Sequence, residues 1–211
     1  MAVLQKPRGI FEKEIFGEIP AHPLHLSVRP VSVNEEFLGG RAVLKQLEML
    51  LDFGDKSATI PFTAAIPKDK FPCPAIIEIR GDDGMNTGTM IENGYAFFSI
   101  YYKDISENNG NFKSGISACI SPSRRRLTAP GKVAVWAWAA LRILEYSLTT
   151  DEIDQSNISV RGRGIFALSA ILAAKEDERF ISILPENIPQ IDDNLKISCP
   201  YLFSPKFVKN R

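Results

Sequence analysis

The segment from Ile158 to Ala167 constrains the fold more than any other. Ile158-Ser159-Val160 is a short β-branched run, Gly162-Arg163-Gly164 places two glycines in a turn, and Ile165-Phe166-Ala167 opens an Ala-rich helix. A buried strand that breaks at glycine and passes directly into a helix is a building unit of a parallel sheet, because parallel neighbours need a crossover connection.

The rest of the chain repeats that unit. Ala75–Ile79, Tyr95–Tyr101, Asn157–Val160 and Phe180–Leu184 are short apolar runs suited to core strands, and Tyr201–Ser204 is a fifth candidate. Helices are expected over Thr87–Asn93, over Gly131–Leu148, which is apolar almost all round, and over Ile165–Lys175. Upstream, Ile10–Phe16 reads as a short amphipathic helix and Leu24–Val33 as a strand that Pro30 confines to an edge. Val43–Phe53 and Ala58–Ile66 read as an antiparallel pair around Gly54-Asp55, although the first also fits a helix. The expectation is one α/β domain over residues 1–211: a mostly parallel sheet flanked by helices, with an antiparallel N-terminal edge.

Composition removes several classes of function. The 25 basic and 25 acidic residues of the 211 cancel, so no overall field draws the chain to nucleic acid or an anionic membrane. Arg124-Arg125-Arg126 is read as a solvated surface run. Cys73, Cys119 and Cys199 are odd in number and widely spaced, which suits a reducing compartment and fits neither a disulfide framework nor a zinc site. The N-terminus has no apolar signal-like stretch, and Val133–Leu148 is interrupted by Arg142 and Glu145. A cytoplasmic protein with no cofactor and no metal is therefore expected.

Several pieces, in order, resemble the α/β-hydrolase superfamily, and more closely the bacterial acetyl xylan and glucuronoyl esterases. They are Phe11–Pro20, Ala65-Ile66-Pro67-Lys68 before Pro74-Ala75-Ile76-Ile77, Gly94–Ile100 with Tyr102-Lys103-Asp104-Ile105, Gly131–Trp138, and Asp177-Glu178-Arg179-Phe180. The resemblance implies that Gly162-Arg163-Gly164 is the turn that presents a serine nucleophile, the family's sequence there being roughly Gly-His-Ser-Arg-x-Gly-Lys. Here Gly162 keeps the first glycine, Arg163 replaces the histidine, and Gly164 replaces the serine. Ile165, Ala167 and Leu168 replace the arginine, the second glycine and the lysine.

The chemistry of that family needs a serine hydroxyl, a histidine to take its proton and a carboxylate to orient the histidine. The resemblance places the acid and histidine after the nucleophile. The only histidines, His22 and His25, lie about 140 residues before Gly164, and 31 residues follow Phe180, so a shortened C-terminal part is expected.

Other residues are candidates to substitute for the missing groups. Ser169 falls within the helix, where a structural role is expected. Cys119 is near enough to the arginine run for its thiol to be activated, or is incidental. His22 and His25 could hold a metal only with a third ligand, and Trp136 and Trp138 could stack on a sugar but suit a core better. Gly81-Asp82-Asp83-Gly84 is either an ordinary βα turn or the polar wall of a cleft.

The leading expectation is an esterase homologue without catalytic residues, a pseudoenzyme acting in binding or assembly. A small-molecule or carbohydrate ligand and a homo-oligomer are its expected partners. The alternative is a hydrolase for a carbohydrate ester or an anionic substrate, bound by Arg161, Arg163, Asp82 and Asp83.

Overall fold

The computed structural model describes residues 11–82, 87–120 and 124–209. Helix α1 (Phe11–Phe16) leads into three long strands, β1 (His25–Phe37), β2 (Ala42–Asp52) and β3 (Ser57–Pro67). Then follow β4 (Cys73–Arg80), α2 (Thr87–Glu92), β5 (Ala96–Tyr101), α3 (Tyr102–Ile105), α4 (Ser117–Ile120) and α5 (Lys132–Ser147). Strand β6 (Ile153–Arg163), α6 (Ile165–Glu176), β7 (Phe180–Glu186), α7 (Asp193–Ser198), a 3-10 turn (Pro200–Leu202) and α8 (Pro205–Lys209) complete the chain.

The strands form one seven-stranded sheet in the order β1-β2-β3-β5-β4-β6-β7. β1, β2, β3 and β5 pair antiparallel in succession, whereas β5, β4, β6 and β7 run parallel. Pro30 sits on β1, the edge strand, where its missing N–H removes nothing from the ladder interior.

Alternation along the strands decides what each face becomes. Ile77 and Ile79 of β4, Phe98 and Ile100 of β5, and Ile158 and Val160 of β6 join an apolar cluster with α5 and α6. Because α5 is surrounded by this cluster and its neighbours, even Lys132 and Arg142 on it are buried. The opposite face carries Glu78, Ser99, Ser159 and Arg161, also buried. Helix α2 lies on that side, with Ile91 packed against Ala42 and Ala65.

Tyr201–Ser204 does not form the expected fifth core strand. Pro200 starts a 3-10 turn and Pro205 starts α8, so the run is bounded by residues that cannot donate to a ladder. Its apolar residues are nevertheless core: Leu202 and Phe203 are buried, and Phe203 stacks on Phe16 of α1 at 6.0 Å. The start of the predicted first helix, Ile10, lies outside the described residues.

Candidate functional site

β6 ends at Arg163 and α6 begins at Ile165, leaving Gly164 alone at the apex of the turn. Gly164 has φ +60° and ψ −130°, a conformation that side-chain-bearing residues avoid. Its N–H donates to the Glu186 carbonyl at 2.9 Å, which fastens the turn to the end of β7. A Cβ built on Gly164 would meet nothing within 4 Å, so the apex points into open space. Gly162 is the reverse case. A Cβ there would come 2.2 Å from the Phe166 carbonyl oxygen, so only glycine lets the first turn of α6 close onto the strand.

Behind the turn stands an aromatic wall. Phe166 packs 4.9 Å from Tyr102 and 5.0 Å from Trp136, measured between ring centroids. Trp136 and Trp138 are both fully buried, and their indole N–H groups donate to Ser106 O at 2.8 Å and Ala21 O at 3.1 Å. Neither offers a face to a sugar.

Three of the four candidate binding residues, Arg161, Arg163 and Asp82, fall among the described residues. Arg161 is 5% exposed and points into the sheet, where it donates to Glu78 on β4 and, at 2.8 Å, to Glu186 on β7. It is a buried ion-pair residue rather than a cleft residue. Arg163 is exposed beside the turn. Asp82 is exposed, accepts a hydrogen bond from the Tyr101 hydroxyl, and lies 3.9 Å from the Lys103 ammonium. Asp83 lies outside the described residues.

The substitutes for a triad lie apart from the turn or are buried. His22 sits 2.9 Å from Glu145 near the last turn of α5, and α5 leads directly into the start of β6. The full 11-residue length of β6 therefore separates this pair from Gly164. Among the described residues neither histidine hydrogen-bonds a hydroxyl or thiol, and no group of three His, Cys, Asp or Glu residues is arranged to hold a metal. Ser169 is fully buried in α6. Cys119 is not activated by the arginine run: burial pushes its thiol pKa up, with Lys56 only partly opposing. Arg124 and Arg126 are held elsewhere, on the Phe203 carbonyl and the Glu18 carboxylate.

One hydroxyl–amine cluster escaped the sequence reading. Lys132 Nζ donates to Ser106 Oγ, to Asn111 O at 2.6 Å and to Ser117 Oγ at 3.4 Å, and the two serine hydroxyls lie 2.7 Å apart. A lysine next to a serine can act as a base. All three residues are sealed from solvent, however, so no substrate reaches them. The ammonium's three hydrogens find three acceptors, and the cluster ties the 106–117 loop to the start of α5. Only an unusual lysine in the apolar run Gly131–Trp138 could have hinted at it.

Solved structures match this arrangement closely. A glucuronoyl esterase from Solibacter usitatus superposes with TM-score 0.80 at 22% identity, over 95% of this chain and 64% of its own. A glucuronoyl esterase of carbohydrate esterase family 15 from Teredinibacter turnerae gives 0.84 at 20%, over 94% and 57%. The chain has the α/β-hydrolase fold. An acetyl xylan esterase candidate from Bacteroides fragilis shares that fold more distantly, at TM-score 0.55 and 14% identity over 78% of this chain and 48% of its own. The chain thus spans about three fifths of the length of the glucuronoyl esterases whose α/β-hydrolase fold it shares. No family model and no curated protein matches the sequence. Among the described residues no helix is long and apolar enough to cross a membrane.

Proposed function

We propose that this chain is a non-catalytic relative of the carbohydrate esterases, which uses the α/β-hydrolase scaffold for binding or assembly. The observation that carries the reading is Gly164. It occupies the strand-to-helix apex with the strained backbone on which this fold presents its nucleophile, and it brings no hydroxyl there. The sharp turn is maintained by Gly162 and by the Gly164–Glu186 hydrogen bond. The scaffold of the reaction persists in a chain that lacks its attacking atom.

Loss of a triad member costs several orders of magnitude in rate, and the remainder comes from binding and oxyanion stabilisation. Assaying the pure protein on acetyl and aryl esters tests the reading. Saturable hydrolysis that a substitution in the cleft abolishes rejects it.

Support for assembly comes from β7, an edge strand of the sheet, with Ile181 57% and Ile188 48% exposed along it and just beyond. Such an edge pairs readily with another chain. A light-scattering mass that stays monomeric at every concentration counts against self-association.

The alternative, a hydrolase that attacks a carbohydrate ester or an anionic substrate through other residues, draws on the names of the structural neighbours. The placement of Arg161 between Glu78 and Glu186 weakens it, because a guanidinium spent on two carboxylates is unavailable to a substrate.

A further inference from the structure

A cleft of about 190 Å³ opens on the sheet face opposite α5 and α6. At a liquid-water share of roughly 30 Å³ per molecule it holds about six waters, the size of a small organic acid. Its floor is built by neighbouring strands: Gln46 of β2 stands opposite Thr63 of β3, and Thr63 opposite Ser99 of β5. Its back wall is formed by Arg80, Tyr101 and Asp104, at the carboxyl ends of β4 and β5 and on α3.

One polar group in this cleft is unmet, and one cation faces it. Ser99 is 8% exposed, and its buried hydroxyl has no hydrogen-bond partner. A buried hydroxyl without a partner is unfavourable, so a group that supplies one is favoured. Arg80 is half-buried, its guanidinium lies 4.6 Å over the Tyr101 ring, and it forms no ion pair among the described residues. The other titratable lining groups are acids. Glu48 is held by Arg29 at 2.7 Å, whereas desolvation pushes the Asp104 carboxyl pKa up, with the Arg80 charge only partly opposing.

We infer that this cleft binds a small hydroxylated carboxylic acid. The carboxylate pairs with Arg80 and accepts a hydrogen bond from the Ser99 hydroxyl, and a ligand hydroxyl donates to Asp104. A guanidinium stacked on an aromatic ring is held in place before the ligand arrives, which lowers the cost of pairing with a planar carboxylate. The site is distinct from the Gly164 apex, so it stands or falls independently of whether the chain hydrolyses esters.

The test is calorimetric titration of the full chain with sodium glycerate, with glycerol as the uncharged control. Saturable binding of glycerate without binding of glycerol is expected. Arg80→Met should weaken it at least tenfold and Ser99→Ala about fivefold, while Lys13→Met, on the exposed side of α1 and outside the cleft, leaves it unchanged. Ser99→Ala removes only an unpartnered hydroxyl, so it reports on the site even if Arg80→Met fails to fold. Equal binding of glycerol, absence of glycerate binding, or loss in Lys13→Met with retention in Ser99→Ala each overturns the assignment.

Discussion

Arg161 on β6 stands in register with Glu78 on β4, and the two form an ion pair that is almost entirely removed from solvent, both being at most 5% exposed. The pair crosses the parallel part of the sheet, and Glu186 extends it to β7. Three adjacent strands that carry the α6 turn are thus joined by one guanidinium.

Breaking that pair from one side leaves an uncompensated buried charge, which typically costs about 3–5 kcal/mol. Arg161→Met or Glu78→Gln should lower the urea midpoint by a corresponding amount. The double variant Arg161→Met with Glu78→Met should recover much of the loss. Equal midpoints for the native protein and Arg161→Met would show that the pair contributes nothing.

The two glycines of the turn should respond differently to a methyl group. Gly162→Ala drives a Cβ into the Phe166 carbonyl and should cost about 2 kcal/mol or more. Gly164→Ala meets open space and suffers only the strained φ, about 1–2 kcal/mol. Thermal unfolding of the two variants checks the order.

Lys132 gives stability a pH signature. Burial lowers its pKa from 10.5 to about 8 in the folded chain. Between those values the unfolded chain holds a proton that the folded chain has released, so the contribution of this group to stability rises with pH. Below about pH 8 both states are protonated and the cost of burying the charge is fully present. Urea midpoints should therefore rise from pH 8 to pH 10 in the native protein more steeply than in Lys132→Met. Parallel profiles would assign the pH dependence to other groups.

β4 and β5 were legible because each is short, apolar and bounded by turn residues, whereas β6 begins at Ile153, ahead of the expected Asn157, through the polar Asp154-Gln155-Ser156. Ala75–Ile79 and Tyr95–Tyr101 map onto β4 and β5 almost residue for residue. β1 runs on to Phe37, beyond the expected Val33, because an edge strand exposed on much of its length, through Asn34-Glu35-Glu36, has no hydrophobic alternation to announce it. Tyr201–Ser204 misled because an apolar run records burial and not backbone geometry, and the flanking prolines decided the latter.

At the strand-to-helix turn, a glycine at the apex was legible from Gly162-Arg163-Gly164. The fate of Arg161 was not, since its partner Glu78 lies 83 residues away and is brought opposite by β-strand register. The Arg80–Ser99 cleft was hidden for the same reason, being assembled from five strands and a helix.

The most direct measurement of the central claim is steady-state hydrolysis of 4-nitrophenyl acetate and of a methyl glucuronate ester by the purified native chain. The account predicts a rate indistinguishable from buffer for both, because Gly164 supplies no attacking oxygen. Saturable turnover of either ester, lost when one polar residue near the apex is replaced, would contradict it.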